Sequence, residues 1–441
     1  MNRHCSGRLL TLVLLFAAIN QSTPVESFDG SNGDAVDTVY SANPDHPWNR
    51  LHRDLVMRHD REARRHVGAV GDPLLWQAST YLLDVPSHAA AIGRLDEFLR
   101  SDAASLIREP LPRAILQQDL WALFDWVSTQ EQRSGEKARD LLRRLVAVLR
   151  QLALTPAEIR ALPDNYRQAV AAGRYPGQAG PLKEGRPFLP ADLFAPDGSW
   201  VSLSALREEE PLARFHVGEA SGRAVFHVLI RLPGGRAATL HYLERLRSFP
   251  LPGPLEPDGR ADSLPSTDVP QFPPGTQLAL VRRGMVIDTK GMPSPVPIVT
   301  QLQLRVHRGI PAAIPEGGGI RSSKEIGQQV FEFRVGRAQL LAGDSGGLVA
   351  VGESARAWPT FLTHGLDEFD SRDAAPQGPP VVLQQCVVCH SRPGIHSVNS
   401  FAPLFGPRGP MAPGTLNEEA ERTVAWKRRQ ADWGLLQRLW W

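Results

Sequence analysis

Cysteine is scarce: among 441 residues there are only Cys5, Cys386 and Cys389. The first falls beside an apolar N-terminal stretch and the other two lie three apart. A scaffold stapled by several disulfides is therefore excluded, and Cys386 and Cys389 belong to one local device. An excess of charge is also missing. Forty-nine basic residues against forty-seven acidic ones leave a formal charge of +2, so no broad field favours nucleic acid or anionic lipid. Long apolar runs are lacking as well. The most apolar stretch, residues 9–19 (LLTLVLLFAAI), is eleven residues preceded by two arginines. That is short of the roughly 20 residues a bilayer-spanning helix needs, and it has the pattern of an export signal.

Residues 1–27 are accordingly expected to be a signal peptide, with Val25-Glu26-Ser27 as one cleavage option. The protein is expected to be periplasmic or secreted, with no membrane span after signal removal and no nucleic-acid partner. Residues 28–45 are polar and read as a linker. From 46 to 173 the pattern is helical. Leu116, Leu120, Leu123, Phe124 and Val127 recur at three- and four-residue steps, as do Leu141, Leu142, Leu145, Val148, Leu149 and Leu152. Thr155-Pro156-Ala157-Glu158 carries a capping-box helix start. The stretch MRHDREARRH (57–66) reads as a charged helix with solvent-exposed histidines. His46, His52, His59 and His66 could alternatively form a metal stripe.

From 174 to 365 alternation replaces the helical stripes. Phe226, Val228 and Ile230, then Leu302, Leu304 and Val306, then Phe331, Phe333 and Val335 mark half-buried strands, expected to be antiparallel. Residues 249–275 hold eight prolines and read as an extended surface excursion. Residues 366–381 form a second linker. The last segment, 382–441, contains a Gly/Pro-rich loop from 401 to 414, and a final helix opened by Thr415-Leu416-Asn417-Glu418 that carries Trp426, Trp433, Trp440 and Trp441. The expected fold class is α+β: an N-terminal helical domain, a middle antiparallel β-rich domain and a small C-terminal helical segment.

Chemistry concentrates in Gln385-Cys386-Val387-Val388-Cys389-His390. This C-x-x-C-H stretch resembles the haem-attachment motif of the c-type cytochromes, over about the last 60 residues. Two thiols three apart on a helical turn face the same way and can form thioethers with the two vinyl groups of one porphyrin. The adjoining imidazole projects toward the iron as axial ligand. The resemblance thus implies haem c, with Cys386 and Cys389 as anchors and His390 as proximal ligand. It also implies electron transfer with a redox partner protein. For the sixth iron ligand, Met411 in a Pro-containing loop is the first candidate. His396 is a second, though it needs about 20 Å of extended chain to round the porphyrin, and His364 is a third. An open site is also allowed. Met/His ligation favours electron transfer, whereas an open site permits ligand binding or peroxide chemistry.

Other readings stay open. Cys386 and Cys389 could form a disulfide or thiol pair, although no βαβ context surrounds them. Together with His396 and a fourth ligand they could hold zinc. At the level of function, the alternatives are a single-haem peroxidase and a haem-sensing or haem-binding scaffold. A remote alternative is a trypsin-like serine protease through Ser345, since Gly343-Asp344-Ser345-Gly346-Gly347 is similar to the nucleophile segment of that family. Against it, a glycine turn between two strands explains the same residues. The helical part, strand part and terminal motif together resemble exported bacterial proteins with a single haem-binding site, a likeness that supplies no activity.

Overall fold

The computed structural model describes residues 27–28, 37–180, 185–205, 210–248, 270–309, 327–358, 365–370, 378–390, 394–398 and 411–441. The side chains of 27, 28, 388, 389 and 411 are excepted. The first 26 residues, which contain the expected export signal, lie outside this set, as do most of the proline-rich stretch and the loop before Met411. The fold is α+β.

A two-residue strand, β1 (Ser27–Phe28), precedes the helices. Helix α1 (Pro47–Leu55) starts on Pro47, whose missing N–H is no loss in a first turn, with His46 Nδ1 accepting from the Trp48 N–H. The charged stretch after it is not helical. Arg58–His59 (β2) and Arg65–His66 (β3) pair as a small hairpin, closed by Asp60, which accepts from the Arg64 N–H and bonds the His66 ring. His52 is buried rather than exposed, and Trp48 and Leu51 are buried beside it on the same helix.

Next come α2 (Ser87–Arg100), α3 (Pro110–Thr129), α4 (Glu131–Leu152), α5 (Pro156–Ala161) and α6 (Asn165–Ala171). The Thr155–Glu158 capping box forms as the sequence suggests. Helix α3 is buried around most of its circumference because it lies between two layers. Its leucines meet the leucines of α4 on one side. On the other it faces the sheet, where the Gln117 side chain donates to the Ile287 carbonyl and accepts from the Ile287 N–H at 2.9 and 2.7 Å.

The sheet is built from β4 (Val201–Ala205), β5 (Ala224–Arg231), β6 (Thr276–Ile287), β7 (Pro293–His307), β8 (Gln328–Val335) and β9 (Leu348–Val351), antiparallel throughout. Helices α7 (Arg214–Glu219), α8 (Gly235–Arg247) and α9 (Arg337–Leu341) occur in its connections. The short β1 adds in parallel to β9, and β10 (Met411–Pro413) adds antiparallel to β4, so both sheet edges are covered by distant parts of the chain. Met411, expected in a loop, is thus the first residue of an edge strand.

Register sets the two faces apart. Leu302 opposes Phe333 and Leu304 opposes Phe331; this side packs with Tyr166, Phe188 and Trp200 in one core. The opposite side of β7 carries Gln303, Arg305 and His307, which are 6, 7 and 1 % exposed. A polar row in an alternating strand normally faces water. Here α10 (Val382–Cys389) and the turn Gly394–Ser397 pack near it, as the contacts of Cys386 with Gln303 and of Arg305 with Ser397 show.

The last segment forms two helices rather than one, α11 (Leu416–Arg428) and α12 (Ala431–Trp440). The break at Gln430, which adopts an extended conformation, lets both halves dock. Lys427 enters the interior from α11, while Trp433 of α12 packs 5.8 Å from Trp121 of α3. Trp440 is buried and the terminal Trp441 is 82 % exposed. The resulting core joins helices α1–α4, Val225, Met285 and Ile287 of the sheet, and α12. Among the described residues no helix is long and apolar enough to cross a membrane.

Buried ion pairs tie the layers. Arg337 and Asp119, both fully buried, pair at 2.8 Å, and the same guanidinium donates to the Gly68 and Ala69 carbonyls. Asp125 receives Arg223 and Lys427, each at 2.8 Å, and Asp72 receives Arg282. Arg337→Met leaves Asp119 as a buried carboxylate without its cation and should cost about 3–5 kcal/mol, read as a lower denaturant midpoint in chemical unfolding. A loss below 1 kcal/mol would contradict the burial described.

His52 supplies a second test. It is 1 % exposed, and burial, helped by the charge of Arg337, holds its imidazole down to about 3. Its folded value lies below the unfolded value of about 6.5. Its contribution is therefore intact above that pH and declines as pH falls through about 3. Unfolding takes up this proton across that window, a slope of about 1.4 kcal/mol per pH unit. His52→Gln should remove one proton from the pH dependence of stability; identical slopes for both proteins would refute the assignment.

Candidate functional site

Helix α10 is fastened at its start. The Val382 N–H donates to the Ala355 carbonyl at 2.9 Å, and Val382 packs with Val351 and Ala355. One turn later Cys386 reaches the polar row of the sheet. Its sulfur accepts from Gln303 Nε2 at 2.6 Å, and its thiol points to Glu332 Oε2 at 3.5 Å. Burial, reinforced by the Glu332 carboxylate, pushes this thiol well above the usual range. A protonated, buried sulfur is poorly suited to attack a disulfide or to bind zinc as a thiolate. Cys389 closes the helix, and its side chain lies outside the described residues.

His390 follows as the cap, its backbone N–H donating to the Cys386 carbonyl at 3.2 Å. Its Nδ1 lies 2.7 Å from the Ser397 carbonyl oxygen. A carbonyl only accepts, so Nδ1 carries the proton and Nε2 is left with the lone pair, the form that binds a metal. Burial, with Arg305 nearby, holds this imidazole well below its ordinary value, hence neutral. The ring of His216, from α7, lies 6.3 Å from that of His390 and within 8° of parallel. Phe226 of β5 and Phe215 contact the His216 ring.

Beside His390 sits an unusual pair of residues. Arg305 is buried, its one hydrogen bond among the described residues is a 3.4 Å contact to the Ser397 carbonyl, and no carboxylate pairs with it there. Burial lowers its guanidinium to about 10. Neither ring nitrogen of His307, two residues on, has a hydrogen-bond partner among the described residues. Burial and the Arg305 charge hold His307 to about 3, and its ring packs on Phe272. A buried cation without an anion is costly, so the site suits a ligand that brings a carboxylate.

The remaining candidates fall elsewhere or outside view. His396 is buried in the turn whose Ser397 carbonyl backs the Nδ1 edge of His390. Met411 opens β10 at the sheet edge, with its side chain outside the described residues, and His364 lies outside them altogether. Among the described residues no group of three or more His, Cys, Asp or Glu side chains is placed to hold a metal ion. Of the four spaced histidines, His46 caps α1, His52 is buried, His59 is exposed and His66 bonds Asp60.

Ser345 lies in the turn between α9 and β9, where its hydroxyl bonds Asp344, which in turn pairs with Arg174. The flanking glycines are needed for packing. Both take positive φ, and a Cβ on Gly346 would stand 2.0 Å from the Asn165 carbonyl oxygen. The motif is thereby accounted for as a tight turn against α6.

Sequence reasoning singled out Cys386 and His390 but did not connect them with Gln303, Arg305, His307 and His216, which the structure places around them. The first three lie on the polar side of a correctly identified strand, and only their shared register could have drawn attention to them. His216 carries no local signal.

No protein-family model, curated protein or solved structure matches this chain.

Arg305, without an acid among the described residues, yields a prediction. In the apoprotein, Arg305→Met should leave stability unchanged or raise it by about 1–2 kcal/mol, because it removes an uncompensated buried charge while keeping volume. Thermal or denaturant unfolding reads this, and a loss above about 2 kcal/mol would mean that the cation is already satisfied.

Proposed function

We propose that this chain is an exported, mono-haem c-type cytochrome-like protein that transfers electrons to or from a partner redox protein. The observation carrying the reading is the placement of the C-x-x-C-H stretch. It ends a helix over a buried sheet face, with His390 oriented by Ser397 and alongside it a guanidinium that has no acidic partner among the described residues. Cys386 and Cys389 would anchor the haem as thioethers. His390 Nε2 would be the proximal ligand, and Arg305 would meet a propionate. A thioether carries no charge, which matches a pocket that disfavours the Cys386 thiolate. When bound, the haem supplies a one-electron iron couple whose potential depends on its axial ligands and burial.

The chain's own residues contribute orientation and charge. The Nδ1–Ser397 bond fixes the ring of His390 and raises its basicity toward a metal. Arg305, buried and cationic, favours the reduced state of any centre beside it electrostatically, unless a propionate neutralises it. Phe226 and Phe215 pack on the ring of His216.

The test is expression of the full chain, signal included, in a host equipped for haem attachment. Expected are one covalently bound haem per chain by mass spectrometry and a reduced pyridine-haemochrome band. Haem should persist in the denatured band on a gel, and material should accumulate outside the cytoplasm. Cys386→Ala together with Cys389→Ala should abolish covalent haem. Colourless wild-type protein, with both sulfurs titrating as free thiols or bridged to each other, would refute the reading.

A further inference from the structure

Resting on that reading, we infer that His216 is the second axial ligand, so that the iron would be held by two histidines, His390 and His216, from opposite sides of the porphyrin. Two imidazoles bound through one nitrogen each to a single metal, at bond lengths of about 2 Å with about 1 Å more to each ring centre, place their centroids about 6 Å apart. The observed separation is 6.3 Å with the ring planes 8° from parallel.

The surroundings hold this pairing. Helix α7 seats Val217 and Ala220 in a small apolar core with Ala213, Ala224 and Phe226, which anchors the backbone on either side of His216. Phe226, 5.5 Å away, flanks the imidazole. On the other side, the Ser397 carbonyl occupies Nδ1 of His390, which leaves Nε2 as its coordinating atom.

Two of the sequence-based candidates, His396 and Met411, are less well placed. The turn bearing His396 supplies that same carbonyl and so stands behind the His390 ring, away from Nε2. Met411 sits on β10, which pairs with the outer side of β4 at the sheet edge. His216 needs neither a wrapped chain nor a displaced strand. Two neutral nitrogen ligands give a six-coordinate iron with no position open to peroxide, which favours the electron carrier over the peroxidase.

The experiment uses the haem-loaded full-length protein and reads spin state rather than activity. Wild type should give low-spin ferric absorption and electron paramagnetic resonance spectra, lacking the features of methionine ligation. His216→Ala should keep covalent haem, as shown by an unchanged pyridine-haemochrome yield. It should convert to high spin, bind carbon monoxide in the reduced form, and return to low spin on addition of imidazole. Should that variant fold poorly, His216→Met should remain low spin, show methionine–iron features and have a raised potential.

Haem retained with an unchanged low-spin spectrum in both variants would overturn the assignment and leave the haem reading intact. Wild-type protein that never acquires haem would overturn both.

Discussion

Two carboxylates on α3, Asp119 and Asp125, sit where water does not reach, and the layered arrangement depends on the cations sent to meet them. Arg337 comes from the connection after β8, Arg223 from the start of β5 and Lys427 from α11. An unpaired buried carboxylate costs several kcal/mol, so each pairing constrains the path of a remote segment. This requirement fixes how helices, sheet and C-terminal tail sit against one another. The apolar contacts supply most of the driving force and are non-directional. The ion pairs choose which segment lies where.

The same logic runs on the far side of the sheet, with one difference. Gln303, Arg305 and His307 are also polar and buried, yet the described residues leave Arg305 without an acid and His307 without any hydrogen-bond partner. Where the layers meet, Asp72, Asp119 and Asp125 each have a cation; beside His390 the described residues give the Arg305 cation no acid. A buried cation with no acid among the described residues marks this side of β7 as a candidate binding site. Two readings of one sheet follow. One face packs on the helical layer, and the other combines the apolar core under α8 with the polar row of β7.

Legibility followed the range of the interactions. The capping boxes at Thr155 and Thr415 involve four residues each and form as the sequence indicates. The strands around Val228, Leu304 and Phe333 were recognisable because alternation reports a buried face wherever the strand lies. Met57 to His66 misled because arginine and histidine are tolerated in an exposed helix, whereas Asp60 closes a hairpin through contacts that composition does not record. The single helix expected after Thr415 became two, since Lys427 and Trp433 must reach different partners on α3.

Sequence by itself determined the capping-box helix starts at Thr155 and Thr415, the strand alternation, the α+β class and the C-x-x-C-H spacing, because each is written in residues a few positions apart. Tertiary structure alone decided that the polar side of β7 is interior, that Arg305 lies beside His390 with no acid among the described residues, and that the His216 ring comes parallel to that of His390. Those facts depend on register across the sheet and on chain segments far apart in sequence. Burial and pairing of that kind arise only when the whole chain has folded, and no local pattern encodes them.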